Sequence, residues 1–324
     1  MYTLDNLLGI VKDLFEREQF LAEPEELYAP IDYTLSAGCK RIRPVMLLAA
    51  CQMFGGDIEQ AKNAALGIET FHNFTLLHDD LMDQSPIRRG RPTVYRKWNE
   101  NVAVLSGDTM YALAWRYFLR TSPANLRDIL NTFNETCIGV CEGQQHDMNF
   151  ETRTDVGINE YIGMIRLKTA VLLAGALKIG ALYAQAPADD TERLYRFGIN
   201  LGIAFQLQDD LLDAWGDVAT FGKQTGTDIL DNKKTFLFLK ALQVCPDAQR
   251  RRLAELFATK PADTAAKVRE VLDIYSQNNI RALVEKEIEN YFAMASRELD
   301  AIALPAERKE VLCQLSAQLL GRKK

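Results

Sequence analysis

Apolar residues along the chain recur at intervals of three and four positions, which is the spacing of one face of an α-helix. Three stretches show this pattern, one at the start of the chain and two towards its end. They are Leu4, Leu7, Leu8, Val11, Leu14 and Phe15, then Val268, Val271, Leu272 and Tyr275, then Val284, Ile288, Tyr291 and Leu299. Sustained alternation of apolar and polar residues, the pattern of a β-strand, is almost absent. The pattern predicts an all-α chain of about ten or more helices, given a mean helix length of about 11 to 12 residues.

Prolines fall where these helices are expected to begin. Segments such as TSPANLRDIL, QAPADDTERL, VCPDAQRRRL and ALPAERKEVL place a proline shortly before a periodic apolar run. Proline suits the first turn of a helix, because that position needs no backbone N–H donor. The connections are therefore predicted to be short. No low-complexity linker divides the chain, so we expect one all-helical domain over residues 1–324.

The balance of acidic and basic residues indicates which class of molecule the chain can bind. The chain has 38 Lys and Arg residues against 44 Asp and Glu residues, a formal net charge of −6. Nucleic-acid binding needs a basic surface that neutralises phosphates, so this balance argues against a nucleic-acid partner. Any cationic site must therefore be local.

Signals for export or membrane insertion are missing from the sequence. The N-terminal segment is amphipathic and carries acidic residues, which a signal peptide lacks. The apolar run Ala170–Leu177 ends at Lys178 and is too short to span a bilayer. The six cysteines are scattered without a CxxC pair, as in proteins whose thiols stay reduced. We expect a cytoplasmic protein with no transmembrane segment.

Two similar acidic segments, LLHDDLMD and QLQDDLLD, stand 130 residues apart, from Asp79 to Asp209. Residues three and four apart share one flank of a helix, so each segment groups three aspartates. The groups are Asp79, Asp80 and Asp83, and Asp209, Asp210 and Asp213, with Gln206 on the second flank. Like charges at this spacing destabilise a helix by about 0.2–0.5 kcal/mol per pair, a cost that a bound cation would reverse.

The type of ligand indicates the ion. Oxygen ligands without nearby Cys or His pairs suit Mg²⁺, which takes one or two carboxylates and completes its shell with water and phosphate oxygens. A single DDxxD segment is more often a solvated acidic face. Here both segments lie in apolar sequence, where unpaired carboxylates are costly, and two basic clusters could hold an anion. The basic clusters are Arg88, Arg89 and Arg91, and Lys40, Arg41 and Arg43.

The order of the motifs adds a resemblance to a known family. GCKRIRP, ETFHNFTLLHDDLMDQSPIRRGRPT, CEGQ, RLKTAVLL, FQLQDDLLDAWGD, FGKQTGTDI and NKKT follow one another over nearly the full chain. In this set and order they resemble the trans-isoprenyl diphosphate synthases (the polyprenyl synthetase family), in particular the short-chain geranylgeranyl and farnesyl type. The resemblance implies a homodimer of all-α, isoprenoid synthase-like helical bundles, each around a deep central cavity. It also implies Mg²⁺-dependent head-to-tail (1'-4) condensation of isopentenyl diphosphate with dimethylallyl, geranyl or farnesyl diphosphate.

The resemblance further assigns roles to residues at matching positions. Asp79, Asp80, Asp83, Asp209, Asp210 and Asp213 would converge on one pocket and hold a three-ion Mg²⁺ cluster, for which Mn²⁺ can substitute. The allylic diphosphate would contact Arg88, Lys168, Lys223 and Lys233, with Gln206 beside it. Isopentenyl diphosphate would contact Lys40, Arg43, His72 and Arg89. Thr169 and Gln206 would lie near the reacting carbons and would form the catalytic set with Lys168 and Lys223.

Position in the sequence does not by itself decide the role of some of these residues. Lys168 lies in an otherwise apolar segment, where snorkelling to the surface accounts for it equally well. Lys223 lies in FGKQTG, a composition that a plain surface turn also predicts. His78 adjoins the first acidic group and is equally well a packed or capping histidine, so we favour His72, which lies seven residues before Asp79 on the same flank.

Three positions depart from the family pattern. Cys39 stands where a second glycine is usual, Asn232 stands where glycine is usual before Lys233, and Phe236 begins a stretch without the usual proline. The change at Asn232 is mild, because asparagine tolerates left-handed backbone geometry. None of the three removes a predicted ligand.

Product length is expected to depend on the helical turn before the first acidic group. Phe74 and Thr75 lie five and four residues before Asp79, and an aromatic residue followed by a small one resembles the short-chain members. We expect a C20 product, geranylgeranyl diphosphate, with C15 farnesyl diphosphate as the alternative. Phe74 is equally consistent with a plain core position, since aromatic residues on apolar faces are usually core.

Two other functions are alternatives. A class I terpene cyclase shares the ionisation chemistry and one aspartate-rich motif, but it needs no second diphosphate site, so Lys40, Arg43 and Arg89 argue against it. A non-catalytic subunit of a heteromeric synthase tends to lose one aspartate group, and here both are intact.

Overall fold

The computed structural model describes residues 1–38, 40–216, 225–259 and 263–321. Its regular structure is helical apart from one short hairpin, which confirms the predicted all-α class. The helices are α1 Leu4–Arg17, α2 Glu25–Leu35, α3 Ile42–Met53, α4 Ile58–Met82, α5 Val94–Lys97, α6 Glu100–Phe118, α7 Leu126–Thr152, α8 Ile158–Ile165, α9 Val171–Tyr183, α10 Ala188–Trp215, α11 Thr227–Leu230, α12 Phe236–Val244, α13 Asp247–Ala258, α14 Thr264–Gln277, α15 Ile280–Asp300 and α16 Ala306–Leu320. The hairpin strands are β1 Ile87–Arg88 and β2 Arg91–Pro92, and a π-helical segment, Arg166–Ala170, joins α8 to α9.

The helices begin where the prolines predict. α10, α13 and α16 start directly after Pro187, Pro246 and Pro305. None of the described helices is both long and apolar enough to cross a bilayer.

Packing divides the chain into two compact units. Unit 1 comprises Met1–Asn134, Gly175–Tyr195 and Ala303–Leu315, and unit 2 comprises Glu135–Ala174, Arg196–Ile302 and the chain from Ser316 onwards. The single-domain organisation over residues 1–324 stays a prediction. The first acidic group belongs to unit 1 and the second to unit 2.

The core of unit 1 surrounds α4, which packs chiefly against α6 and α3. An aromatic cluster fixes α4 on this core, with the ring centres of Phe118 and Phe133 4.3 Å apart and Phe71 meeting Phe133 edge to face. Gly67 permits the approach of α6, since a Cβ atom there would lie 2.8 Å from the Phe118 ring. The long α4 is thereby held firmly before it reaches the acidic group at its C-terminal end.

The core of unit 2 gathers apolar side chains from α8, α10 and α12–α15. Leu207 and Leu211 of α10 belong to this core, and they flank the second acidic group along the same helix. Phe238 and Phe257 stack at 4.1 Å between α12 and α13. The acidic group of α10 therefore stands on a packed helix.

Two glycines in unit 2 let neighbouring helices approach the π-helical segment. A Cβ atom at Gly143 would lie 2.2 Å from the backbone nitrogen of Lys168, and one at Gly202 would lie 2.5 Å from the Cα atom of Ala170. Both distances are shorter than any real carbon contact, and the atoms met are backbone atoms that cannot rotate away. Packing of α7 and α10 against this segment therefore requires glycine.

This packing generates a prediction about stability. We expect Gly143→Ala to lower the free energy of unfolding by about 1–3 kcal/mol, because the added methyl group overpacks a backbone contact. Gly163→Ala is the matched control, since nothing lies within 4 Å of a Cβ atom there, within α8. The control should gain up to about 1 kcal/mol from helix propensity. Chemical denaturation of both variants checks the difference, and equal stabilities would contradict the close approach.

Candidate active site

The first acidic group lies where α4 ends. Asp79 and Asp80 occupy its last turn and Asp83 is the C-cap residue. Gln84 follows with φ +52°, and the backbone N–H of Ser85 donates to the carbonyl of Asp80 at 2.9 Å. This is a Schellman ending, which reverses the chain direction within two residues. The basic segment that follows is thereby turned back towards the carboxylates.

The arginine-rich segment forms a tight hairpin. β1 and β2 pair antiparallel, with Arg88 opposite Arg91. The two residues between them, Arg89 and Gly90, have φ values of +52° and +73°, which is the geometry of a type I′ turn. Arg89 adopts left-handed backbone geometry at a cost that glycine would not have, a form of strain that concentrates at functional positions. Strands of two residues carry no period-two signal, so the sequence could not predict them.

Arg88 from the hairpin pairs with the acidic group. Its Nε donates to Asp80 Oδ1 at 2.7 Å, and its Nη2 lies 3.5 Å from Asp79 Oδ2. Asp80 is only 5% exposed, whereas Asp83 is exposed. The three aspartates therefore differ in surroundings although they share one flank of α4.

Burial dominates the electrostatics of Asp80. It raises the pKa of this carboxyl from 3.8 to about 6, although the charge and hydrogen bond of Arg88 act to lower it. Asp79 and Asp83 add a smaller upward contribution to the same pKa. Ionised Asp80 is therefore costly, and additional positive charge nearby would favour it.

Arg43 and His72, both predicted to bind isopentenyl diphosphate, contact each other. Arg43 is the second residue of α3, and its Nη1 lies 3.0 Å from His72 Nε2. Burial, followed by the charges of Arg43, Arg89 and Arg88, holds the pKa of His72 well below its usual range. Neutral His72 accepts the hydrogen bond, because a guanidinium can only donate. Lys40, three residues before Arg43 and ahead of α3, is exposed.

Arg41 has a different role from its neighbours in the same basic cluster. Its guanidinium lies 4.2 Å from the centre of the Phe15 ring, and its Nη2 donates to the carbonyl of Leu35 at 3.0 Å. These contacts direct it into the body of unit 1.

A buried polar chain supports Arg89. Its Nη1 lies 3.5 Å from Asn73 Oδ1, and Asn73 Nδ2 donates to Glu69 Oε1 at 3.1 Å and to the Glu69 carbonyl at 2.8 Å. Glu69 and Asn73 are each 2% exposed. A pocket of about 410 Å³ opens beside this chain. Its lining includes Tyr33, Asn73, Asp80, Arg88, Arg89 and Arg91.

The second acidic group lies near the end of α10, and neutral side chains donate to Asp210. Tyr161 Oη donates to Asp210 Oδ2, and Gln206 Nε2 donates to Asp210 Oδ1 at 3.1 Å. Asp210 is 5% exposed. Gln206, which the resemblance places near the reacting carbons, therefore orients Asp210, a predicted metal ligand.

Asp213 caps the short helix α11. Its Oδ1 accepts from Thr227 Oγ1 at 2.6 Å, and its Oδ2 accepts from the backbone N–H of Asp228 at 3.0 Å. Both contacts satisfy donors of the first turn of α11. Asp213 thus connects α10 to the segment that leads to Lys233.

Clustering of carboxyls in unit 2 shifts their titration. Burial first, and then the charge of Asp228, raises the pKa of Asp210 well above its ordinary value. Burial and then Asp213 raise the pKa of Asp228 to about 7, while Lys233 acts to lower it. This group therefore resists full ionisation at neutral pH unless a cation approaches.

The π-helical segment presents Lys168 and Thr169. Lys168 Nζ lies 2.6 Å from Asp147 Oδ2, and its side chain is 25% exposed. Thr169 Oγ1 donates to Gln206 Oε1 at 2.9 Å. Lys168 is therefore held by an ion pair rather than extended into solvent, and Thr169 lies next to Gln206.

Lys233 lines a second, smaller pocket of about 230 Å³. Its lining includes Asp210, Asp213, Asp228, Lys233, Phe257 and Tyr275. Lys223 and Cys39 lie outside the described residues, so their predicted roles stay predictions.

No preformed metal cage is present in the part of the chain that the structure describes, since no three His, Cys, Asp or Glu side chains there are grouped as a metal would need. Arg88, Tyr161 and Thr227 instead engage the carboxylates. This arrangement is compatible with Mg²⁺, which typically takes only one or two protein carboxylates.

Comparison with known proteins identifies the family. The sequence profile described as "Polyprenyl synthetase" matches residues 24–275. The chain belongs to the polyprenyl synthetase family. Its predicted assignment as a prenyltransferase of the short-chain isoprenyl diphosphate synthase type is thereby confirmed.

Relatives match this polyprenyl synthetase over most of its length. The geranylgeranyl diphosphate synthase of Sulfolobus acidocaldarius is 35% identical over 96% of both chains. The geranylfarnesyl diphosphate synthase of Natronomonas pharaonis is 38% identical over 72% of this chain and 73% of its own. A crystal structure of a geranylgeranyl pyrophosphate synthase superposes with a TM-score of 0.95 at 40% identity, covering 100% of both chains. That of the synthetase from Pyrococcus horikoshii Ot3 gives 0.90 at 29% identity, covering 99% of this chain and 98% of its own.

Several contacting residues of the synthetase were missed by sequence analysis. They are Glu69, Asn73, Asp147, Tyr161 and Asp228. Asp228 lies within FGKQTGTDI and Asp147 lies three residues after CEGQ, so position in or near a motif was an available signal for both. Tyr161 lies seven residues before Lys168, across the change from α8 to the π-helical segment, where helical periodicity does not apply.

The titration of Asp80 generates a prediction about pH. A folded-state pKa of about 6 against an ordinary 3.8 means that the folded chain binds this proton more tightly than the unfolded chain does. The resulting stabilisation is complete below the ordinary pKa and is lost as pH rises through about 6. In a divalent-ion chelator, wild-type protein should therefore lose stability relative to Asp80→Asn between about pH 4 and about pH 8.

Denaturant unfolding of both proteins at each pH measures this difference. Asp13→Asn, at an exposed position of α1, is the control, and its stability should equal that of wild type at each pH. A pH-independent gap between wild type and Asp80→Asn would contradict the raised pKa.

Proposed function

We propose that the chain joins isopentenyl diphosphate head to tail to an allylic diphosphate. The observation that carries this proposal is the pairing of buried and half-buried carboxylates with cations, seen in Arg88 with Asp80 and Asp79. Unit 2 repeats the combination, with Lys168 paired to Asp147 and Lys233 in the carboxylate-lined pocket. Carboxylates bind metal ions and guanidinium or ammonium groups bind phosphate oxygens, so both are needed for a metal diphosphate.

Mg²⁺ fits the residues present, because both groups offer carboxylate oxygens and no soft ligands. Asp79 and Asp83, with Asp80 in support, would hold ions at the end of α4. Asp209, with Asp210 and Asp213, would hold ions at the end of α10. Bound there, a cluster of Mg²⁺ ions, or Mn²⁺ in its place, would neutralise the diphosphate and stabilise it as a leaving group.

The side chains stabilise the departure of pyrophosphate. Arg88, Lys168 and Lys233 contact the allylic diphosphate, as does Lys223, and their charges oppose the negative charge that grows as the carbon–oxygen bond breaks. The bonding electron pair leaves with pyrophosphate and an allylic cation forms. Thr169 and Gln206, hydrogen-bonded to each other, present oxygen dipoles to this cation.

Isopentenyl diphosphate is held by the other basic group. Lys40, Arg43, His72 and Arg89 contact its diphosphate, which places its double bond beside the cation. The double bond attacks, a new carbon–carbon bond forms, and one proton leaves to the departed pyrophosphate. The Asn73–Glu69 chain keeps Arg89 in place for this contact.

We assign geranylgeranyl diphosphate, C20, as the product. Phe74 is half-buried on α4, with ring centres 5.4 Å from Tyr111 and 4.8 Å from His78. Phe74 and Tyr111 would together close the space below the growing chain, with Thr75 beside them. The relative from Sulfolobus acidocaldarius, named a geranylgeranyl diphosphate synthase, supports this length.

We further propose a cytoplasmic homodimer. The described cysteines are free thiols, which suits a reducing compartment. Val104, Leu105 and Leu119, on and just after α6, are exposed apolar side chains, and a second copy would cover them.

The function is tested with purified chain, Mg²⁺, isopentenyl diphosphate and each allylic primer, with product sizing. Wild type should form linear C20 diphosphate, whereas a cyclase would release hydrocarbon and a non-catalytic subunit would form nothing. Asp79→Ala and Asp209→Ala should each lower kcat about 100-fold or more, because each removes a ligand of the metal diphosphate.

Asp273→Ala serves as the matched control for these two variants. It removes an exposed aspartate of α14 and should leave kcat unchanged. Near-normal turnover of both Asp79→Ala and Asp209→Ala would refute the metal assignment.

Product length is tested by Phe74→Ala. Removal of this ring should lengthen the main product by about one isoprene unit, since one helical turn is about 5.4 Å. Chromatographic sizing of the products measures the shift. Phe292→Ala, which removes a half-buried ring from α15, should leave the C20 product unchanged. If the distribution of product lengths is unchanged in Phe74→Ala, residues other than Phe74 limit the length of the product.

A further inference from the structure

Lys267 is a buried lysine of α14 that the proposed function does not use. It is 2% exposed. Its Nζ donates a hydrogen bond to Asn232 Oδ1 and lies 5.3 Å from the centre of the Phe257 ring. A buried ammonium group is costly unless it is paired, so these contacts explain why the charge is tolerated.

Asn232 occupies a strained backbone position. Its φ is +59°, in the left-handed region, at the turn that follows α11. Its backbone N–H donates to the carbonyl of Ile229 at 3.3 Å, and that of Lys233 donates to the carbonyl of Asp228 at 2.9 Å. Glycine would adopt this geometry freely, and asparagine tolerates it better than other residues that carry a side chain. The hydrogen bond from Lys267 fixes the asparagine side chain and thereby stabilises the turn.

The residue after this turn is Lys233, which lines the pocket with Asp210, Asp213 and Asp228. Two contacts therefore hold the segment from Thr227 to Lys233 in unit 2. Asp213 binds its beginning through Thr227, and Lys267 binds its end through Asn232.

We propose that Lys267 is a positioning residue, which holds the Asn232 turn so that Lys233 faces the allylic diphosphate. The inference rests on the proposed function, since Lys233 is assigned there to that substrate. Lys267 acts through Asn232 and touches no substrate itself. The pair replaces what glycine would supply at position 232 through its own backbone freedom.

Steady-state kinetics of Lys267→Met test this proposal. The variant keeps the length and apolar stem of the side chain but removes the ammonium group. The KM for the allylic diphosphate should rise about 10-fold, a change expected from loss of one charged hydrogen bond. The KM for isopentenyl diphosphate should change less than about 2-fold, because Lys233 does not contact it. General destabilisation would instead lower kcat and leave both KM values unaltered.

Rescue supplies a second, independent measurement. Asn232→Gly added to Lys267→Met should restore the KM for the allylic diphosphate, because glycine holds φ +59° without a partner. Lys286→Met, at an exposed position of α15, is the matched control and should behave as wild type. If Lys267→Met fails to fold, Asn232→Ala carries the same test, since it removes the acceptor while Lys267 remains.

The outcomes separate this inference from the proposed function. An unmodified chain that forms no prenyl product overturns the proposed function. An active chain in which Lys267→Met, or Asn232→Ala in its place, leaves the KM for the allylic diphosphate unchanged overturns this inference alone. A raised KM that Asn232→Gly fails to restore also overturns it, because the effect then bypasses the turn.

Discussion

Burial of carboxylates is the constraint on which both acidic groups depend. An aspartate removed from water must meet a cation or hydrogen-bond donors, or it will take up a proton. Unit 1 meets this demand with a full charge, as Arg88 pairs with Asp80. In unit 2, neutral side chains meet it at Asp210, where Tyr161 and Gln206 donate hydrogen bonds to the carboxylate. The two acidic groups look alike in sequence, yet Asp80 and Asp210 are held by donors of different charge.

Sequence analysis predicted the parts of the structure that depend on periodicity and on motif order. Apolar spacing located α1, α14 and α15, prolines marked the starts of α10, α13 and α16, and the DDxxD segments fell at the ends of α4 and α10. The left-handed backbone geometry at Asn232 agrees with its place in the sequence, where the family usually has glycine. What escaped prediction depends on contacts between distant residues. The pairing of Lys168 with Asp147 spans 21 positions, and no local pattern reports it.

The π-helical segment shows why position on a helix was not enough for Lys168 and Thr169. Five residues in this segment follow a wider turn than the α-helices on either side, so angles counted from α8 do not carry through it. Gly143 and Gly202 approach its backbone closely enough that the packing itself maintains the irregularity. The result is that Thr169 reaches Gln206 on another helix. A regular α-helix through the same residues would turn the Thr169 side chain away from Gln206.

The turn at Gln84 has a consequence for how this chain can diverge. The Schellman ending and the type I′ hairpin are tight turns of fixed length. Arg88 therefore reaches Asp80 for only one number of intervening residues. Two extra residues ahead of Asp83 would rotate everything that follows by about 200° around the axis of α4. The arginine hairpin would then leave the carboxylates unless the helix ending were rebuilt at the same time. The residues between the aspartates, the ending of α4 and the hairpin therefore depend on one another. A change in the length of one requires a change in the others.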